Sequence, residues 1–180
     1  MRMTGGSLGY IAATVLLGAL AGEHNVSTRQ EDGMTTIEQN KAVARRWSTE
    51  LWSKGDLMVA DDIIAAEYVR HDPGDPFPAQ GPEDVKKIVM MLRTMFPDFH
   101  IDVESVVAEG DLVVSRYTAT ATDTVGYMGM PATGKAIRTS AMQMFRFAHG
   151  KIVESWAVRD DLGTLRQLGH VTMAGGQPKR

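Results

Sequence analysis

Around Pro97 the hydrophobic period of the chain changes, and that change limits which folds are open to it. Between Pro82 and Pro97 the apolar residues Val85, Ile88, Val89, Leu92, Met95 and Phe96 recur at three- and four-residue steps, which gathers them on one face of a helix. From Phe99 the step becomes two, with Phe99, Ile101 and Val103 alternating with polar residues, as in a strand with one buried face. Glu109-Gly110-Asp111 is a hairpin signal, and a long strand is predicted from Leu112 to about Thr124. Past the glycine-rich run GYMGMPATGK, another strand is predicted over Ala136–Ala148 and a turn at His149-Gly150. A last strand over Ile152–Arg159 and a helix from about Asp161 to Leu168 complete the pattern. Successive strands joined by tight turns pair antiparallel, and helices followed by such a meander make an α+β rather than an α/β fold. The expected architecture is a curved antiparallel sheet forming a cone, with N-terminal helices packed on its concave side. A cone of this kind offers a cavity, open at one end, to a small apolar ligand.

The preceding residues supply those helices. Thr35-Thr36-Ile37-Glu38 has the spacing of a capping box, and Ile37, Ala44, Trp47 and Leu51 follow helical spacing up to Lys54-Gly55. Asp56 is expected to cap a second, shorter helix through Leu57, Ala60, Ile63 and Ile64. Tyr68 to His71 reads as a short extended piece, after which Pro73, Pro76 and Pro78 forbid regular structure. Pro82 suits the first turn of the third helix, with Glu83 and Asp84 at the positive end of its dipole.

Composition narrows the chemistry. The 180 residues suffice for one domain with a sizeable core. A net charge of -3, without a Lys/Arg cluster interleaved with aromatics, speaks against nucleic acid as a partner. With no cysteine and five scattered histidines that form neither HxH nor HxxxH, a structural or catalytic transition metal is not expected. Leu8–Ala21 is apolar but too short for a stable membrane span, which takes about 20 residues. It suits the core of an export signal, with Arg2 before it and Ala19-Leu20-Ala21 as a cleavage pattern. The other reading makes Met34 the natural start. The protein is exported in the first case and cytoplasmic in the second. Residues 1–33 are therefore set apart as a signal-like or disordered extension, 34–170 as the domain and 171–180 as a flexible tail.

The run GDLMVADDIIAAEYVRHDP, the loop YMGMPATGK, the turn FRFAHGKIVESW and the ending DLGTLRQLG together resemble the SnoaL-like polyketide cyclases. That family lies within the nuclear-transport-factor-like α+β cone superfamily, and the resemblance covers about residues 34–170. It implies a cofactor-independent acid/base catalyst acting on a hydrophobic carbonyl compound, and a homodimer. In the polyketide cyclases an aspartate on the last strand works with a histidine or another polar group on the adjacent strand. Matching through GKI and GTLRQLG puts Ala157 and Gln143 at those places. The Asp-Arg-Asp set of the superfamily's epoxide hydrolases falls on no matching positions. Where its steroid isomerases carry a tyrosine on the first helix, this chain has Trp47 and Trp52.

Individual residues then divide into roles. His71 is the leading proton carrier, since an imidazole titrates near pH 6.5, about the pH of proton transfer in neutral solution; the bland alternative is a loop-stabilising bond to Asp72. Gln143 points inward by parity, either to a ligand carbonyl or to neighbours that satisfy it. Arg159 shares the parity of Ala157 and either anchors an anionic group or pairs with a carboxylate. Asp160 faces away from the cone unless a bulge turns it inward, and Asp161 is expected to cap the last helix. The set expected to catalyse is His71, Asp160 and Gln143; the set expected to bind substrate is Trp52, Tyr68, Arg159, Phe145 and Met128. Met90, Met91, Met95, Met130, Met142 and Met144 join Met128 as an adaptable lining or as core filler. Arg116, Thr118, Thr120 and Thr122 form a polar strand face, read first as dimer surface. The expected function is cyclisation, isomerisation or hydrolysis of a polyketide-like or terpenoid-like molecule; the alternative is a non-catalytic small-molecule carrier, which Ala157 favours.

Overall fold

A computed structural model describes residues 36–73 and 78–172. The N-terminal extension, with the stretch read as an export signal, Thr35 of the capping box and most of the expected tail lie outside the described residues. Helix α1 covers 36–54, α2 Met58–Ile63, α3 Gly81–Met95 and α4 Asp161–Leu168. The strands are β1 Ile64–His71, β2 His100–Glu109, β3 Leu112–Thr122, β4 Ala136–Ala148 and β5 Lys151–Arg159. They form one open sheet in the order β1-β5-β4-β3-β2. The α+β architecture is the one anticipated from the change of period.

Two details differ from expectation. The sheet is mixed, because β1 runs parallel to β5 while the other pairs are antiparallel. β1 also begins at Ile64, a residue whose spacing continues the helical pattern of Leu57 and Ala60. Burial decides that ambiguity: Ile64 and Tyr68 are both closed off in the core, and Ile64 pairs with Ile152 on the parallel edge of β5. A register shift between Ile64 and Val69 then pairs Arg70 with Ser155 and His71 with Trp156.

The second half of α1 is a π-helix over Trp47–Lys54. In an α-helix, residues five apart point about 140° away from each other. The wider i→i+5 turn brings them much closer to the same face. Trp47 and Trp52 are such a pair, and their rings lie 5.8 Å apart on the side facing the sheet. Arg93 of α3 holds the end of the segment by donating to the carbonyls of Trp52, Ser53 and Phe99. Gly55, at φ +74°, lets the chain pass so close to that arginine that a Cβ would lie 2.6 Å from its Cδ. The core is built around Trp47, which meets Phe145 edge-on at 5.5 Å and Tyr68 at 6.0 Å. Trp47→Ala would cost about 3–5 kcal/mol in lost packing.

Candidate active site

The concave side of the sheet is not filled. Four inward positions, Ala119 and Ala121 of β3, Ala141 of β4 and Ala157 of β5, carry only a methyl group, and a cavity of about 500 Å³ lies over them. That volume falls in the range that holds small organic ligands. Ile88, Met91, Leu92 and Met95 of α3 form its apolar roof. Trp47 and Trp52 close one side, and the loop residues Gly126 to Gly129 line the mouth.

That loop is anchored by Asp123, which is fully buried. Its carboxylate accepts hydrogen bonds from the Gly126 N–H at 3.0 Å, the Thr133 N–H at 2.9 Å and the Thr133 hydroxyl at 2.8 Å. Burial alone would raise its pKa, but the donors from Thr133 and Gly126 overcome that and hold it below the usual carboxylate value.

Two polar groupings interrupt the apolar wall. In the first, the Trp47 indole N–H donates to Gln143 Oε1 at 3.1 Å, Gln143 Nε2 donates to Ser155 Oγ at 3.3 Å, and Ser155 Oγ lies 2.7 Å from the Tyr68 hydroxyl. These groups satisfy one another, as buried polar groups must. The second is charged. Asp72, just past β1, receives Arg70 Nη2 and Arg159 Nη1 on the same carboxylate oxygen, each at 2.9 Å. On its other side Arg159 reaches Asp161 through Nε at 3.4 Å, and the Tyr127 hydroxyl donates to that same Asp161 oxygen at 2.5 Å. Burial works against the charge of Arg159, but Asp72 and Asp161 outweigh it, so its pKa lies above the ordinary value. Arg70, Asp72 and Arg159 all line the cavity. Among the described residues the cluster thus sets two guanidiniums against two carboxylates.

The residues singled out from the sequence are dispersed by the fold. Gln143, Arg159, Trp52 and Met128 line the cavity. Tyr68 and Phe145 are wholly buried beneath it, outside the lining. His71 is paired with Trp156 on the outer face; its ring stacks on that indole at 5.1 Å and its Nε2 lies 3.5 Å from Glu154. Its two chain neighbours, Arg70 and Asp72, are the ones that face inward. Asp160 is exposed and caps α4, accepting the Gly163 N–H at 2.8 Å, whereas Asp161, expected as the cap, joins the charged cluster. Met142 alternates outward from Gln143 and is half-exposed, and of the methionines expected as an adaptable lining only Met91, Met95 and Met128 reach the cavity wall. Of the supposed outer face, Thr120 borders the cavity, while Thr118 is buried against Glu104 at 2.6 Å.

Asp72, Arg70 and Tyr117 were not singled out from the sequence. Tyr117 stands opposite Ala141 on the inner wall, and burial pushes its hydroxyl up to about 12. Its signal was inward parity with Ala119 and Ala121. Among the described residues, no group of histidines and carboxylates has the arrangement of a metal site, and no helix is long and apolar enough to cross a membrane.

The model of the SnoaL-like polyketide cyclases matches residues 42–168. The chain belongs to that family. No curated protein matches it significantly. Solved structures of related SnoaL-like proteins do. A candidate polyketide cyclase from Acidithiobacillus ferrooxidans is 33% identical over 74% of this chain and 96% of its own, with a TM-score of 0.66. IdmH, a candidate polyketide cyclase from Streptomyces antibioticus, is 31% identical over 73% of this chain and 99% of its own, with a TM-score of 0.63. AclR, a candidate hydroxylase from Streptomyces galilaeus, is 27% identical over 76% of this chain and 99% of its own, with a TM-score of 0.64. This SnoaL-like chain thus shares its fold with proteins to which different reactions are ascribed, so its chemistry has to be argued from its own cavity.

Proposed function

We propose that this SnoaL-like protein is a cofactor-independent acid/base catalyst that closes or rearranges a hydrophobic carbonyl compound held in the cavity. The observation that carries the reading is the paired-charge cluster Arg70–Asp72–Arg159–Asp161 bordering a largely apolar chamber. In the low dielectric of such a chamber, paired charges act strongly on any charge that develops. The Asp72 carboxylate takes a proton from the carbon next to a ligand carbonyl, and the electron pair moves onto the carbonyl oxygen, where the guanidiniums stabilise it. The carbanion carbon then bonds to a second carbonyl carbon, and the alkoxide so formed takes the proton back from Asp72. No proton is gained or lost overall, and no electron acceptor is required.

Proton abstraction is measurable without the natural substrate. Aromatic β-ketoesters incubated with the protein in heavy water should exchange their α-proton faster, followed by proton NMR. Asp72→Asn should lose about two to four orders of magnitude of that acceleration. Equal exchange by wild type and Asp72→Asn overturns the assignment. The second reading, a carrier that catalyses nothing, is favoured by Ala157 at the place of the family's aspartate and by Gln143 being bonded to Trp47 and Ser155. Tight binding of those esters with no exchange would select it. Self-association belongs to the proposal too: exposed Met142 and Val158 are cross-strand neighbours on the outer face of the sheet, and light scattering should return the mass of a dimer.

A further inference from the structure

The loop between β3 and β4 borders the cavity mouth and is held unequally along its length. Its base is closed by Asp123. Besides the three bonds to the carboxylate, the Asp123 N–H donates to the Lys135 carbonyl at 2.9 Å, and the Gly134 N–H donates to the Asp123 carbonyl at 2.8 Å. The tip is held far less. Among the described residues, the stretch from Tyr127 to Ala132 makes one hydrogen bond to another element, from the Tyr127 hydroxyl to Asp161 of α4 at 2.5 Å. The Tyr127 ring packs against Phe96, Ile137 and Leu168, whereas Met128 and Met130 are exposed. Met128 also stands at φ +52°, in the left-handed region that methionine rarely adopts. Gly126, at φ +96°, lets the chain fold back so tightly that a Cβ would lie 1.9 Å from the Met130 carbonyl oxygen. A segment with few buried contacts and a single tether belongs to the part of a fold that opens locally. Burial, and after it Asp161, raise the pKa of the Tyr127 hydroxyl above its ordinary value, so the donated proton is in place at neutral pH.

We propose that the tip of this loop is a gate over the cavity and that the Tyr127–Asp161 hydrogen bond is its latch, so that a ligand enters and leaves while that bond is broken. The inference rests on the cavity being the ligand site; the chemistry of the ligand does not enter it. The latch joins two parts of the protein to each other and not the protein to its ligand, so it slows entry and exit alike and leaves affinity untouched. A hydrogen bond to a charged acceptor is strong enough to change the open fraction about tenfold to a hundredfold.

N-phenyl-1-naphthylamine, an uncharged fluorophore that brightens in apolar surroundings, serves as the probe, and stopped-flow mixing gives its association and dissociation rates. Tyr127→Phe keeps the ring and removes the hydroxyl. In that variant both rates should rise by the same factor, about tenfold to a hundredfold, while Kd stays unchanged. Should Tyr127→Phe fail to fold, Asp161→Asn weakens the latch from the acceptor side, and the two rates should again rise together. The tip can also be followed without any probe. The chain has no cysteine, so a nitroxide attached through Met128→Cys reports on the tip alone, and Tyr127→Phe should enlarge its mobile component. Rates equal in wild type and variant overturn the gate and leave the cavity reading intact. Faster dissociation alone, with weaker binding, does the same, because it makes Tyr127 a wall contact of the bound probe. A nitroxide no more mobile in the variant overturns the latch. If wild type does not take up the probe, the cavity reading falls and the gate falls with it.

Discussion

Asp72→Asn tests the charged cluster through stability as well as catalysis. Arg70 and Arg159 each place a nitrogen 2.9 Å from the same carboxylate oxygen of Asp72, so those nitrogens lie no farther apart than twice that distance. The side chains of Asp72 and Arg70 are 4% and 7% exposed, and that of Arg159 is 26% exposed, so solvent screens the set only in part. Asparagine keeps the shape but removes the negative charge, leaving two guanidiniums about 6 Å apart; with an effective dielectric of about 20 their repulsion is roughly 3 kcal/mol. That agrees with the 3–5 kcal/mol typical of breaking one partner out of a buried ion pair. Urea unfolding followed by tryptophan fluorescence should show a loss of about 3 kcal/mol for Asp72→Asn. Adding Arg70→Met to that variant should restore a good part of it, because the repulsion disappears with the second cation. An Asp72→Asn protein within about 0.5 kcal/mol of wild type, or a double variant no more stable than the single one, would refute the electrostatic account.

Asp160→Ala should cost about 1 kcal/mol by removing the cap of α4, visible as a lower thermal midpoint, while α-proton exchange stays at the wild-type rate because the residue lies outside the cavity. Asp123 titrates below the ordinary carboxylate value in the folded state, so its stabilisation is present above about pH 4 and is lost as pH falls through the lower folded value. The gap in urea midpoint between wild type and Asp123→Asn should therefore be widest at neutral pH and narrow towards pH 3. At the alkaline end, burial raises Tyr68 and Tyr117 to about 12, against roughly 10 for the unfolded chain. Their contribution is complete below pH 10 and is lost as pH rises to 12; urea midpoints measured across that interval should fall, and fall less steeply in Tyr117→Phe.

Much of the fold was legible because periodicity is local. The face of α3, the spans of β4 and α4 and the hairpin at His149-Gly150 follow from residues within a few positions of one another, and parity alone puts Gln143, Ala157 and Arg159 on one side of the sheet. The alanines at 119, 121, 141 and 157 share that inward side, which is why the sheet encloses space rather than packing solid. The charged cluster was not legible in the same way. Asp72 and Arg159 are 87 residues apart, and they meet only because β1 lies parallel to β5 in one register. That register, shifted between Ile64 and Val69, sends His71 outward to Trp156 and its neighbours inward, an outcome that depends on the strand opposite and not on the tripeptide itself. Likewise, the π-helical turn that brings Trp47 beside Trp52 depends on tertiary packing, since the helical spacing of Trp47 and Leu51 reads as an ordinary α-helix. The sequence by itself determined the elements and the inward side of the meander, whose causes are short-range. Tertiary structure alone decided which ionisable groups meet at the cavity, because their juxtaposition is a contact between distant strands.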